Sequence, residues 1–394
     1  MRVLILAKKF PYPLKDGECI GIDRTAASLA ANNVTVDLAC INTLKHFTDP
    51  KSIDITTTPF ANIHSVTVDT NVKPLAFALS FFGTKSYNLQ RFYSKEFENL
   101  LVKLCSENKY DVIQLDGLYM YHYVPTLRKH SDAKILMRAQ NVEHEIWQKV
   151  AQLEKSTLKK RVYKTLGQRM HVAELHALTL IDGLVTVTQA DAEKFKALGY
   201  RGAMHYLPIG MLPSDGDTQF HQPLRLFHIG SMDWVPNVEG LKWFVNDPWK
   251  TLRKQHPDLS LNLAGRNFPN DLFNDNPTVS LFGEVEDANQ FMDDNDILIV
   301  PLFSGSGVRL KILEAMSQGK VVISTTKGAE GIPYIEGKHL LIANSAEAFI
   351  ENVERCVHDN ALVADISRGA KELIRMQYDS ATAGKELLSF YSKI

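Results

Sequence analysis

Long apolar runs are missing from this chain: no stretch of the 394 residues approaches the ~20 needed to span a bilayer. The first apolar stretch, residues 3–7, is followed at once by Lys8 and Lys9, the reverse of the order in a secretory leader. The opening MRVLILAKKFPYP therefore reads as a first buried strand, and the protein as cytoplasmic. Cysteine is scarce and scattered. Cys19, Cys40, Cys105 and Cys356 form no CxxC pair and no metal-ligand spacing, which argues for free thiols in a reducing compartment rather than a disulfide framework. Charge of one sign is lacking too. The 44 Lys and Arg nearly cancel the 45 Asp and Glu, so nothing global attracts nucleic acid. Tandem repeats and low-complexity tracts are absent.

What remains is an ordinary globular composition, 45% hydrophobic and 23% charged, with length for two or three domains. Short apolar runs alternate with helix-period segments. RVLILA (2–7), VTVDLAC (34–40), NIHSVTV (62–68), DVIQL (111–115), KILMR (134–138) and DGLVTVT (182–188) read as strands, with helices at 24–31 and 94–107 among those between them. This alternation implies an α/β fold with parallel sheets covered on both faces. Residues 207–223 are rich in Pro, Gly and Asp and read as a linker. Beyond it the pattern restarts with LRLFHIG, LSLNLAG, VSLFGEV, DILIVPL, KVVIST and HLLIA. The expected organisation is two Rossmann-like domains facing each other across a cleft, one of residues 1–208 plus 380–394, the other 209–379. Open parallel sheets bind ligands at the carboxyl ends of their strands, so the chemistry belongs in the loops that follow strands.

The most informative loop lies in PLFSGSGVRLKILEAMSQGKVVISTTKGAEGI, residues 301–332. A strand runs into Gly305, Ser306 and Gly307, and a helix opens near Val308. Glycines let a ligand approach the backbone, and a helix start offers unpaired N–H groups to a phosphate. Arg309 and Lys311 put cations on a first turn where the dipole favours acids, which points to an anionic ligand. Glu314 follows, able to accept from the two hydroxyls of a ribose. The plain alternative is an Arg309/Lys311–Glu314 salt-bridge set on a solvated face.

This segment resembles the donor motif of the large group 1 (family 4) glycosyltransferases of GT-B fold, which transfer sugars with retention. Glu314-Ala315-Met316 and Gly319-Lys320-Val321-Val322 match its second part, while Ser306 stands at the position of the family's first glutamate. The wording SGVRLKILEAM is similar to that of bacterial surface-polysaccharide members. In residues 224–244 the turn Gly230-Ser231-Met232 matches as well. Asp233, Trp234, Pro236 and Asn237 occupy the places of the family's diphosphate-binding cations, and Arg309 and Lys311 are expected to supply that charge; Asn237 alone reads equally as a residue near a helix start. The resemblance further implies that Arg266, after LSLNLAG, and Gly283, Glu284 and Val285, after VSLF, line the nucleotide. In the first half it places Gly17 in the glycine loop facing the donor phosphate, and Gln140 where relatives carry histidine in AQNVEHE. His144 on the following helix reads as structural or as a substitute. Asp116, ending DVIQL, orients an acceptor hydroxyl or caps the next helix.

The implied activity is transfer of a sugar from a nucleotide-diphosphate donor to a glycan or lipid-linked acceptor, with Arg309, Lys311 and Asp116 as the catalytic residues and no cofactor. No metal is expected, since Asp294-x-Asp296 precedes a strand instead of following one. Readings of other classes are a nucleotide-sugar epimerase, a phosphorylase, for which no lysine context argues, and a non-catalytic nucleotide-sugar-binding subunit. Two stretches, 73–95 (apolar and aromatic with basic flanks) and 155–170 (basic, amphipathic), read as core-facing helices with solvated lysines, or alternatively as peripheral contacts with the inner membrane face.

Overall fold

The central strands of this chain carry near-continuous Val, Ile and Leu runs because they are covered on both faces. In β1 (Arg2–Ala7) the alternate residues Leu4 and Leu6 enter one apolar core and Val3, Ile5 and Ala7 another. In the computed structural model, which describes residues 1–14, 16–269, 273, 276–305 and 307–394, the chain divides into two units, Met1–Gly210 with Ser380–Ile394, and Met211–Asp379. Each is built around its own parallel sheet.

The first unit continues with β2 (Thr35–Thr43), β3 (Asn62–Val68), β4 (Val112–Asp116), β5 (Lys134–Ala139), β6 (Gly183–Thr186) and β7 (Ala203–Tyr206). Their order is β3-β2-β1-β4-β5-β6-β7, so the connection reverses direction between β1 and β4. Its helices are α1 (Gly17–Ala30), α2 (Pro74–Ser80), α3 (Tyr87–Gln90), α4 (Lys95–Glu107), α5 (Val124–His130), α6 (Glu143–Leu153), α7 (Thr157–Leu178) and α8 (Gln189–Ala197). Strand β7 escaped the sequence reading because AMHY is short and has no apolar run.

The second unit holds β8 (Arg225–Ile229), α9 (Val235–Asn246), α10 (Pro248–Gln255), β9 (Ser260–Ala264), β10 (Ser280–Gly283), α11 (Ala288–Asp293), β11 (Ile297–Val300), α12 (Leu310–Ser317), β12 (Val321–Ser324), β13 (Leu341–Ile342), α13 (Ala346–His358) and α14 (Asn360–Gln377). Strand order β10-β9-β8-β11-β12-β13 places its reversal between β8 and β11. This is the doubly wound arrangement, in which ligands gather at the carboxyl ends beside the reversal.

The last helix, α15 (Ser380–Tyr391), lies on α1 in the first unit. Ser28 and Ser380 share a hydrogen bond of 2.7 Å, and Tyr391 Oη donates to Gln114 Oε1 at 2.8 Å inside the core. Gly384 makes the approach close: a Cβ there would stand 2.0 Å from the Ser28 carbonyl. All four cysteines are free thiols.

Candidate functional site

At the reversal of the second sheet, β8 carries a fully buried histidine, His228. Its Nδ1 lies 2.7 Å from the carbonyl of Ile299 on the neighbouring β11. A carbonyl only accepts, so Nδ1 carries the proton and Nε2 faces outward as an acceptor. Lys311 fills that acceptor, its Nζ lying 3.0 Å from His228 Nε2 and 3.1 Å from Asn237 Oδ1. Asn237 in turn donates from Nδ2 to the Ser231 carbonyl at 2.8 Å. Burial, and then the repulsion of Lys311, hold His228 neutral, far below its ordinary range. Burial and then the Arg309 charge also lower Lys311, to about 7, with Glu314 offsetting part of the shift.

Three glycines form a bare backbone floor beside this lysine. Gly230 and Gly265 follow β8 and β9, and Gly283 ends β10. The Gly230 N–H donates to Ala264 O at 3.0 Å, and the Gly265 N–H to Gly283 O at 2.7 Å. A Cβ on Gly265, whose φ is +147°, would stand 1.7 Å from the Gly230 carbonyl oxygen; a Cβ on Gly230 would stand 2.6 Å from Lys311 Nζ. The turn Gly230-Ser231-Met232 is tied to the next one, since the Met232 N–H donates to Arg266 O at 2.9 Å. Arg266 is half-buried; past the floor, Glu284 is exposed and Val285 half-buried.

The loop before α12 bends through two glycines with positive φ, Gly305 at +102° and Gly307 at +87°. Ser306 between them lies outside the described residues. Helix α12 begins at Leu310, two residues later than Val308. Arg309 thus occupies the N-cap position with extended φ and ψ, and Lys311 the first turn. The Arg309 guanidinium donates to Gly307 O and lies over the Trp234 indole, 4.9 Å from its centroid. A Cβ on Gly305 would meet Trp234 at 2.6 Å and Arg309 at 2.9 Å, so this glycine admits both large side chains. Lys311 donates to His228 and Asn237, residues far away in sequence. Glu314 is half-buried on the same helix. Asn237 has no capping role: it is the third residue of α9, 3% exposed, and fixes Lys311 to the Ser231 turn.

In the first unit the structure corrects two residues. Gly17 is not in a glycine loop; it is the first residue of α1, and that helix start is already filled by the Asp16 carboxylate, which accepts from Glu18 N and Cys19 N while pairing with Lys9. The Glu18 and Cys19 N–H groups are thus already engaged before any phosphate could meet them. Asp116 is fully buried and accepts from Arg138 Nη1 at 3.3 Å and from Gln140 Nε2. It neither caps the next helical turn, whose cap residue is Gly117, nor offers surface to an acceptor. Its carboxyl is raised by burial against the lowering pull of Arg138 and Gln140. In place of these two, the carboxyl ends of β1, β4 and β5 gather Lys8, Tyr119 and Glu143. Lys8 pairs with Glu18 at 3.3 Å and sits 4.0 Å above the Tyr119 ring. Tyr119 Oη donates to Glu143 Oε2 at 3.4 Å, and burial raises the Glu143 carboxyl. The signal for Lys8 was present in the sequence, as a lysine directly after an apolar strand. His144 is structural, its Nδ1 bound to the buried Glu174.

Asp294 caps the end of α11, and the buried Asp296 accepts backbone N–H groups of His221 and Arg225. Among the described residues no three His, Cys, Asp or Glu side chains gather as a metal site, and no helix is long and apolar enough to cross a membrane.

Residues 223–359 match the family described as Glycosyl transferases group 1. A protein of Klebsiella pneumoniae, described as an uncharacterized 44.6 kDa protein in the cps region, is 25% identical over 285 residues, 69% of this chain and 72% of that protein. Among solved structures, sucrose-phosphate synthase from Thermosynechococcus elongatus aligns with a TM-score of 0.67 at 16% identity, covering 100% of this chain and 99% of that one. Anabaena HepE in complex with UDP aligns with a TM-score of 0.65 at 13% identity over 100% of both chains. The fold is GT-B, and the matched segment supports a glycosyltransferase.

Proposed function

We propose that this chain transfers a sugar, with retention, from a nucleotide-diphosphate donor to a glycan or lipid-linked acceptor in surface-polysaccharide synthesis. The observation that carries the reading is the meeting of Lys311 with the glycine floor at the reversal of the second sheet. A diphosphate needs close backbone approach and fixed positive charge, and the residues there offer both. The Lys311 ammonium is anchored on two neutral acceptors, so its charge is oriented without being neutralised by an acid. Arg309, stacked on Trp234, adds the second cation. Departure of the nucleoside diphosphate builds negative charge, and preset cations with helix N–H groups stabilise it without a metal. Ribose hydroxyls are assigned to Glu314, the base to the Gly283–Val285 turn, and Arg266 to the phosphate or base. Acceptor recognition belongs to the first unit, where Lys8, Tyr119 and Glu143 cluster, with Asp116 holding Arg138 and Gln140 in place.

The deciding experiment is calorimetry with UDP, GDP and ADP on wild type and Lys311→Met, followed by donor turnover with and without an oligosaccharide acceptor. Binding of one diphosphate, lost in the variant, and turnover into a glycosylated acceptor support the proposal. Absence of binding to every diphosphate overturns it. Isomerisation of the donor without acceptor would favour an epimerase.

A further inference from the structure

Helix α2 lacks the polar face that a surface helix ordinarily shows water. Its inner side packs Phe77 edge-on against Phe81 and Tyr87, with ring centroids 5.2 and 5.4 Å apart. Its outer side is apolar as well: Leu75 is 74% exposed, Leu79 58%, and Phe82, in the turn that follows, 91%. The segment is nonetheless firmly held. Arg169 of α7 donates to the carbonyls of Ser80 at 2.8 Å and Phe81 at 3.0 Å, so α2 ends against α7.

Helix α7 begins unusually. Residues 157–161 are all exposed, its start has no side-chain cap, and Lys159, Lys160 and Arg161 stand in its first turns against the helix dipole. With Lys155 and Lys164 they have no ion-pair partner among the described residues. Helix α6, packed on α7, adds Ile146, Val150 and Leu153 at helical spacing, the last 83% exposed. Acids are absent from residues 70–95 and 155–173, which together hold ten Lys and Arg, in a chain whose 44 Lys and Arg and 45 Asp and Glu balance overall.

We infer that the surface formed by α2, α6 and the start of α7 docks on an anionic lipid bilayer. Exposed Leu and Phe of α2, its following turn and α6, with unpaired lysines at the start of α7, suit the boundary between acyl chains and anionic headgroups, where apolar side chains leave water and cations meet phosphate. An acidic protein partner would complement the lysines but leave the apolar tip of α2 unexplained. A second copy would bring like charges together. The inference does not depend on the donor site.

The test is cosedimentation of the full chain with vesicles of phosphatidylcholine alone and of phosphatidylcholine mixed with phosphatidylglycerol. The expected result is binding to the anionic vesicles only, weakened by salt. Lys159→Glu with Lys160→Glu should weaken it at least tenfold, since each cation near such a surface is worth roughly fivefold in partition. Leu75→Ser, Leu79→Ser and Phe82→Ser together should abolish it; all three side chains are exposed, and melting curves should match wild type. Diphosphate binding should be unaffected in both variants. Equal partition onto neutral vesicles, or no vesicle binding, overturns the proposal. So does sedimentation velocity showing a wild-type dimer that the serine variant dissolves, which would make the occupant a second copy.

Discussion

Lys311 Nζ lies 3.0 Å from Nε2 of His228, a histidine whose other nitrogen is committed to the Ile299 carbonyl. Burial, and then the nearby Arg309 charge, draw this lysine down to about 7. A diphosphate would reverse that pressure by stabilising the ammonium.

Donor binding should therefore take up a proton. Below about 7 the ammonium already exists and affinity is flat with respect to this group. Above it, affinity for the nucleoside diphosphate should fall by up to tenfold per pH unit, until the raised pKa of the complex is reached. Calorimetry at pH 8 in buffers of different ionisation enthalpy should show uptake approaching one proton, absent in Lys311→Met. Affinity independent of pH between 6.5 and 8.5 would sink the idea.

The same lysine should leave a mark on stability. Between about 7 and its ordinary value of 10.5 the unfolded chain holds this proton more tightly than the folded one, so folding gains as pH rises through that window. Below about 7 the penalty is fully present. Wild type should thus gain in Tm relative to Lys311→Met from pH 7 to 9. Melting curves that track in parallel would show that the ammonium is not disfavoured in the fold.

Two glycine substitutions separate site from scaffold. In Gly230→Ala the new methyl meets Lys311 Nζ and Asn237 Nδ2, at 2.6 and 2.8 Å, and the lysine must move. Diphosphate affinity should drop about tenfold with little change in Tm, the size of one misplaced charged contact. In Gly265→Ala the methyl meets a backbone carbonyl at 1.7 Å in a backbone conformation that disfavours side chains. That should cost about 3 kcal/mol of stability or more. The reverse pattern, read by thermal melts and calorimetry, would mean that the floor is not beside the ligand.

Chelation should leave activity intact. Asp294 and Asp296 are engaged in a helix end and in backbone N–H groups, so neither is poised for a cation. Complete loss of transfer in EDTA, restored by Mn²⁺, would contradict the proposed mechanism.

The α/β alternation was legible because parallel strands buried on both faces must be continuously apolar, and β1 falls on the very residues, 2–7, that read as a strand. The glycine loop and the cations of α12 were legible for a local reason as well: they stand within a few residues of each other. Their partners were not. His228 is 83 positions from Lys311, and only the adjacency of β8 and β11 brings them together. Asp116 misled because a carboxylate at a strand end is typical of a site. Parallel pairing sets it opposite Arg138 on β5, and two residues on Gln140 reaches the same carboxylate. Register made that pairing, and register is invisible to spacing along one segment.

Arg309 and Glu314 bring the donor proposal to its sharpest test. Arg309 is only 6% exposed, held over Trp234 and against Gly307 O, so its charge is preset before any ligand arrives. If that charge serves chiefly the departing diphosphate, Arg309→Ala should lower kcat more than it raises KM. The expected loss is about 2–4 kcal/mol, or one and a half to three decades in kcat/KM. Trp234→Ala should give a smaller loss in the same direction, since it removes the stacking surface and leaves the cation. Glu314→Gln should instead weaken donor and free nucleoside diphosphate alike, because the ribose is common to both. Steady-state kinetics with melts of each variant decide the matter. Normal folding and wild-type kcat/KM in both Arg309→Ala and Glu314→Gln would place the donor elsewhere and reduce α12 to a packed surface helix.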